Sequence, residues 1–280
     1  TATVQQLRDI DAAAGTVTYT SITDNALNVV AANGSGLSGF VTGSVAVTLN
    51  DTATVAQLAA IDGATLGTVT YTTVTDSATN LATDALTNAG VGTYVTTGHN
   101  VTVNTTATVQ QLRDIDAAAG TVTYTTVTDS ATNLATDALT NAGVGTYVTT
   151  GHNVTVNTTA TVQQLRDIDA AAGTVTYTSI TDNALNVVAA NGSGLSGFVT
   201  GSVAVTLNDT ATVAQLAAID GATLGTVTYT TVTDSATNLA TDALTNAGVG
   251  TYVTTGHNVT VNTTATVQQL RDIDAAAGTV

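Results

Sequence analysis

The sequence contains no cysteine, methionine, proline, tryptophan, lysine or glutamate. Without cysteine there are no disulfides, thiolate nucleophiles, cysteine-ligated zinc or iron–sulfur clusters. Without methionine as well, no side chain is readily oxidised at sulfur, which suits long exposure outside a cell. Four arginines are the only strong cations, set against 20 acidic residues that are all aspartate, for a net charge of -16. No basic patch is available to displace counterions from phosphates, so nucleic acid is an unexpected partner, and so is an anionic lipid surface. No apolar run approaches the roughly 20 residues that span a bilayer, so membrane insertion is not expected. No signal peptide or initiator methionine is evident, which suggests a processed product or a window onto a longer chain.

What is present is apolar and β-branched. Hydrophobic residues make up 43% of the 280 positions and charged residues 9%. Disordered chains pair high net charge with low hydrophobicity; this one has enough apolar surface to fold.

The dominant signal is repetition. "TATV" begins at Thr1, Thr52, Thr106, Thr159, Thr210 and Thr264. The chain therefore divides into units 1–51, 52–105, 106–158, 159–209 and 210–263, with a partial unit 264–280. A superperiod of 158 lies above this, because 1–122 and 159–280 are identical. Each unit also splits into two related halves of about 26 residues, inside the range of solenoid repeats.

The opening segment "TATVQQLRDIDAAAGTV" carries helix punctuation. Thr3 with Gln6, and Thr54 with Gln57, have the spacing of a capping box, in which each side chain satisfies the other residue's backbone N–H. Val4, Leu7 and Ile10 share one helical face, and Gly15 is placed to end the helix without a Cβ penalty. "TVTYTTVTD" (68–76) reads as a strand, with Val69 and Tyr71 inward and Thr68, Thr70 and Thr72 outward. The step to Val74 breaks the alternation and predicts a bend or bulge. Asp76 then caps a second helix whose inward residues are Ala78, Leu81, Ala85 and Leu86. In the first unit Val45, Val47 and Leu49 form a further inward-facing strand.

One unit cannot bury its own apolar faces, but stacked units can. The expected fold is a repeat solenoid of stacked parallel β-strands with short helices, either β/α or β-solenoid. Ten to eleven coils at about 4.8 Å each would make a rod roughly 50 Å long. Both ends lack a polar capping repeat, which predicts end-to-end self-association or continuation of the same repeat chain.

The alternation of "TVAQLAAIDGAT", "GTVTYTTVTDSATNLA" and "GTYVTTGHNVTVN" resembles tandem repeats of giant secreted cell-surface, adhesin-like proteins of marine cyanobacteria and proteobacteria. The resemblance implies an extracellular or cell-surface location and a structural or adhesive role. The calcium nonapeptide G-G-x-G-x-D found in many such proteins is missing here.

No residue set is expected to be catalytic or to hold a cofactor, and the chain is not expected to be an enzyme. Asp9 and Asp11 flank a D-x-D beside Arg8, but the second unit replaces Arg and one Asp together, as a solvated ion pair allows. Asp24, Asp76 and Asp129 lie between strand and helix. They read as caps, with calcium as the alternative, although calcium takes six to eight oxygen ligands and no spacing supplies them. His99, His152 and His257 recur in "TGHNVTV", and Ser44 interrupts the series. Sequons at Asn33, Asn50, Asn100 and Asn104 are what so Thr- and Asn-rich a chain produces by chance; glycosylation is an open alternative. The leading expectation is a structural protein forming a stiff extracellular rod, fibre or filament for coating, matrix or adhesion. The alternative is a binding module whose repetitive face recognises calcium, glycan or ice.

Overall fold

A computed structural model describes residues 1–30, 39–189 and 197–277. The Asn33 sequon lies outside the described residues. Two compact units, Thr1–Thr128 and Asp129–Val280, are resolved.

In the first unit the order is α1 (Val4–Ala13), β1 (Ser21–Asp24), α2 (Ala26–Val30), β2 (Ala46–Leu49), α3 (Val55–Asp62), β3 (Val69–Thr70), β4 (Thr73–Asp76), α4 (Ala78–Ala85), β5 (Asn100–Val103), α5 (Val109–Ala118) and β6 (Thr121–Thr123). β7 (Thr126–Asp129) leads into the second unit. There the order is α6 (Ala131–Ala138), α7 (Thr140–Gly143), β8 (Asn153–Val156), α8 (Val162–Ala171), β9 (Thr174–Thr176), β10 (Ser179–Asp182), α9 (Ala184–Ala189), β11 (Ala204–Leu207), α10 (Val213–Asp220), β12 (Val227–Thr228), β13 (Thr231–Asp234), α11 (Ala236–Ala243), β14 (Asn258–Val261) and α12 (Val267–Ala276).

The strands form short, parallel sheets in which each strand pairs with the next along the chain. Ile22 lies opposite Val47, and Val47 opposite Val69; Val74 lies opposite Val101, and Val101 opposite Val122. Paired residues are 25, 22, 27 and 21 positions apart in these four ladders, so neighbouring strands are separated by one half-unit rather than by a whole one. Parallel strands cannot be joined by a tight hairpin. The crossovers here carry the short helices; in the β1-to-β2 and β10-to-β11 segments, described only in part, these are α2 and α9.

The capping boxes form as their spacing predicts. Thr3 Oγ1 accepts from Gln6 N at 3.1 Å, and Gln6 Oε1 accepts from Thr3 N at 2.9 Å; Thr54 and Gln57 repeat both bonds at the same distances. Gly15 does not end α1. Ala14 is the C-cap, in extended conformation at φ -112° and ψ 155°, so no left-handed residue is needed. The copies of this glycine serve close approach instead: a Cβ on Gly120 would lie 2.8 Å from the Thr97 carbonyl oxygen.

Val4 and Leu7 are buried, but Ile10 is 47% exposed, while its copies Ile115, Ile168 and Ile273 are fully buried. α5 packs on α4, α8 on α6 and α12 on α11, whereas α1 has no such partner helix among the described residues. The reverse holds at α12, where Val267 and Leu270 are exposed although their copies Val162 and Leu165, followed by β10, are buried. Each such helix therefore has two apolar contacts: its isoleucine meets the helix before it, and its valine and leucine meet the strand after it.

Val69 and Tyr71 are half-buried rather than core. The buried centres are Val47 in the β1-β2-β3 sheet and Val74 with Val101 in the β4-β5-β6 sheet, all essentially inaccessible, because the chain bends between β3 and β4 and turns Val74 inward. Thr68, Thr70 and Thr72 are exposed, as the alternation predicts. Ala78, Leu81 and Ala85 are buried on α4, but Leu86 is 59% exposed. Leu86 is the C-cap residue, beyond the last turn that packs inward.

Candidate functional site

The structure builds its most elaborate polar geometry around buried aspartates. Asp24, at the end of β1, is not the N-cap of the helix it precedes. Asn25 is, accepting from Asn28 N at 2.7 Å. Asp24 Oδ1 accepts from Asn25 N at 2.9 Å and Asn28 Nδ2 at 2.8 Å, and Oδ2 accepts from Val4 N at 2.9 Å. Val4 is the first residue of α1, 20 positions earlier. The carboxylate thus fastens the start of one helix to the start of the next, giving a partner to one of the amides that a helix N-terminus leaves unpaired.

Asp76 repeats the arrangement. Ser77 is the N-cap of α4, while Asp76 Oδ1 accepts from Ser77 N at 2.7 Å and Asn80 Nδ2 at 2.9 Å, and Oδ2 accepts from Val55 N of α3 at 3.1 Å. Asp182 and Asp234 do the same for Val162 and Val213. Asp129 Oδ1 accepts from Ser130 N and Asn133 Nδ2. The three aspartates considered for calcium therefore hold N–H donors, whose positive ends point where a cation would sit. Among the described residues, no group of three or more His, Asp, Glu or Cys side chains could hold a metal ion.

Hydrogen bonding dominates the electrostatics of Asp24. Burial pushes its pKa up, but the bonds from Asn28, Val4 N and Asn25 N, with Arg8 nearby, outweigh burial and hold it below the ordinary aspartate value.

A second aspartate set escaped sequence reasoning. Asp84 Oδ2 accepts three consecutive backbone amides, from Thr93 at 3.1 Å, Tyr94 at 2.8 Å and Val95 at 2.8 Å. Asp137 and Asp242 repeat the cradle. Asp84 lies in "ATDAL", where it occupies a buried helical position, and a charge at the inward edge of an amphipathic pattern is the one signal that could have revealed it. The cradle closes a tight loop in which Asn88, Ala89 and Gly90 are successively left-handed, at φ 49°, 63° and 87°. That conformation costs a non-glycine residue about 1–2 kcal/mol, and the bonds to Asp84 help hold the far end of the loop.

The histidines also have defined settings. His99 stacks on Tyr71 with ring centroids 3.9 Å apart and planes 13° from parallel, and its Nδ1 pairs with Thr96 Oγ1 at 2.7 Å. Tyr71 donates to the Tyr94 carbonyl at 3.0 Å. Burial, followed by the nearby Asp84, Tyr94 and Asp62, pushes Tyr71 up to about 12, and burial lowers His99. His257 stacks on Tyr229 in the same way at 4.1 Å. In the repeat 1–51 Ser44 stands in place of histidine, and Tyr19 meets Phe40 edge-on instead.

The solvated ion pair expected where Arg8 stands beside Asp9 and Asp11 takes another form in the copies. Arg113 donates to Gln110 Oε1, and Gln110 Nε2 donates to Asp114 Oδ1, so the amide relays between the two charges. Where the repeat 52–105 has Ala56 and Ala59 instead, a shallow groove of about 300 Å³ opens between α3 and α4, lined by Val55, Ala56, Asn80, Thr83, Asp84 and Thr87. Its copy between α10 and α11 measures about 340 Å³. Neither groove gathers a nucleophile with a base. Among the described residues no helix is long and apolar enough to cross a membrane.

No protein-family profile, curated protein or solved structure matches the chain.

Proposed function

We propose that the chain is a structural repeat array: a solenoid of stacked coils, each one half-unit long, forming a stiff rod or filament. The observation that carries this reading is the repeated aspartate tie. At Asp24, Asp76, Asp182 and Asp234 the same carboxylate geometry joins the helix of one coil to the coil that follows. A contact that recurs once per unit transmits the same geometry at each step, which is the requirement for a stiff, quasi-one-dimensional array. The sulfur-free acidic composition fits an extracellular or cell-surface setting, as coat, matrix or adhesive stalk. Growth proceeds by continuation of the repeat or by end-to-end association, through helices that pack on both sides. The role is mechanical, with no reaction catalysed and no cofactor required.

Small-angle scattering and electron microscopy test this directly. Fragments of two, four and six units are expected to lengthen linearly at constant cross-section. A radius of gyration that grows as for a compact globule overturns the proposal.

A further inference from the structure

The outward strand face has a pattern that neither a mechanical role nor β-propensity requires. In the first unit Thr23, Thr48 and Thr70 lie directly opposite one another across three strands, as do Thr75, Thr102 and Thr123. In the second unit Thr181, Thr206 and Thr228 repeat this, and Thr155 faces Thr176. Two positions earlier on the same face the residues are Ser21 and Ala46, or Thr73, Asn100 and Thr121. These side chains are exposed or half-exposed. Strand threonines also meet hydroxyls of the segment bridged to the strand, as Thr23 Oγ1 meets Thr1 Oγ1 at 2.9 Å and Thr181 Oγ1 meets Thr159 Oγ1 at 3.0 Å.

Independently of that register, the face carries no charge. The chain has 24 charged side chains, yet among the described residues none occupies an outward position in any paired strand. The strand aspartates Asp24, Asp76, Asp182 and Asp234 are turned inward and buried. A solvated face of an acidic protein would ordinarily carry some of its charge. The tyrosines that would stack on a sugar ring are on the opposite side of the strand, half-buried.

We propose that this face binds ice. It offers hydroxyls and methyls in two dimensions, repeating at about 4.8 Å between strands and about 6.6 Å between alternate residues. Both the backbone ladder and the β-branched χ1 preference hold these groups fixed. A rigid, neutral, periodic set of donors, acceptors and methyls places a layer of water in lattice-like positions before contact, so little ordering remains when a crystal surface meets it. The absence of charge matters because an ion's own hydration shell competes with lattice order.

The test uses the intact chain. Thermal hysteresis and the shape of ice crystals grown in its presence are measured for the parent and for Thr48→Lys/Thr70→Lys and Thr102→Lys/Thr123→Lys. The control is Ala59→Lys on an exposed helical position, and circular dichroism confirms folding of each. Hysteresis with faceted crystals in the parent and the control, reduced in each threonine variant and lost when both pairs and their copies Thr155, Thr176, Thr206, Thr228 and Thr260 are changed together, is the expected result. A folded parent that leaves ice growth unchanged overturns the proposal, as does equal activity in all variants. Light scattering separates the remaining alternative: if the threonine variants abolish only lateral association of chains, the face docks a second copy and the proposal fails.

Discussion

Removing the Asp84 cradle is the sharpest test of how the loops are held. Oδ2 of this carboxylate, in a residue only 6% exposed, accepts the amides of Thr93, Tyr94 and Val95. Truncation to alanine leaves three amides without their acceptor. Hydrogen bonds to a charged group contribute about 1.5–3 kcal/mol each, but three donors sharing one oxygen are not additive. The longest, from Thr93 at 3.1 Å, is also the weakest. A loss of about 3–5 kcal/mol per loop follows, near the upper end of what single substitutions do. Asparagine keeps one acceptor oxygen and loses the charge, so Asp84→Asn is expected to cost about 1–2 kcal/mol, consistent with charged acceptors being roughly twice as strong. The Asp137 and Asp242 copies share the local sequence, so all three positions are changed together and exchange is read on the pooled peptide. Hydrogen exchange of the three amides should accelerate at least roughly 100-fold in the alanine variant, since each 1.4 kcal/mol is tenfold. Unchanged exchange, or alanine and asparagine behaving alike, would refute the cradle as an energetic feature.

Four further outcomes are expected. Asp24, held low chiefly by Asn28, Val4 N and Asn25 N against the opposing effect of burial, contributes stability that is fully present above the unfolded aspartate value of about 3.9. That contribution is lost as pH falls through the lower folded value, so melting temperature against pH should flatten in this range in Asp24→Asn. His99, lowered by burial, is favoured neutral in the fold; its contribution is present above about pH 6.5 and declines as pH drops toward the folded value. An imidazole titration by NMR that midpoints above the unfolded value would contradict this. Gly67→Ala places a Cβ onto the Val45 carbonyl, whereas Gly98→Ala meets nothing within 4 Å. The first should lower the unfolding free energy measured in urea by about 2 kcal/mol or more and the second should be near neutral. Thr54→Ala removes the capping bond to Gln57 N and should cost about 1 kcal/mol by the same assay.

Much of the secondary structure was legible because its causes are local. A capping box joins residues three apart, so Thr3 with Gln6 and Thr54 with Gln57 could be located from spacing alone. The inward alternation of Val45, Val47 and Leu49 and the bend before Val74 followed from period and propensity. The errors of burial share one origin, which is that burial depends on what lies beyond the element. Ile10 has the same sequence neighbours as Ile115 but, among the described residues, no helix packed against it as α4 packs on α5. Tyr71 continues the alternation of Val69, yet the bend after Thr70 transfers the core to Val74. Leu86 follows the helical period one residue past the last turn that packs.

The repeat length, the half-unit division, the helix starts and the alternation of β-branched residues are properties of the sequence itself, set by interactions spanning a few residues. The tertiary structure decided which strand each strand pairs with, and through that the partners of the buried aspartates. Asp24 and Asp76 looked like caps of the helices they precede, but each reaches the first amide of a helix that begins about 20 residues earlier. No short-range pattern encodes that reach, because it exists only once a parallel crossover has brought the end of one strand beside the start of the previous helix.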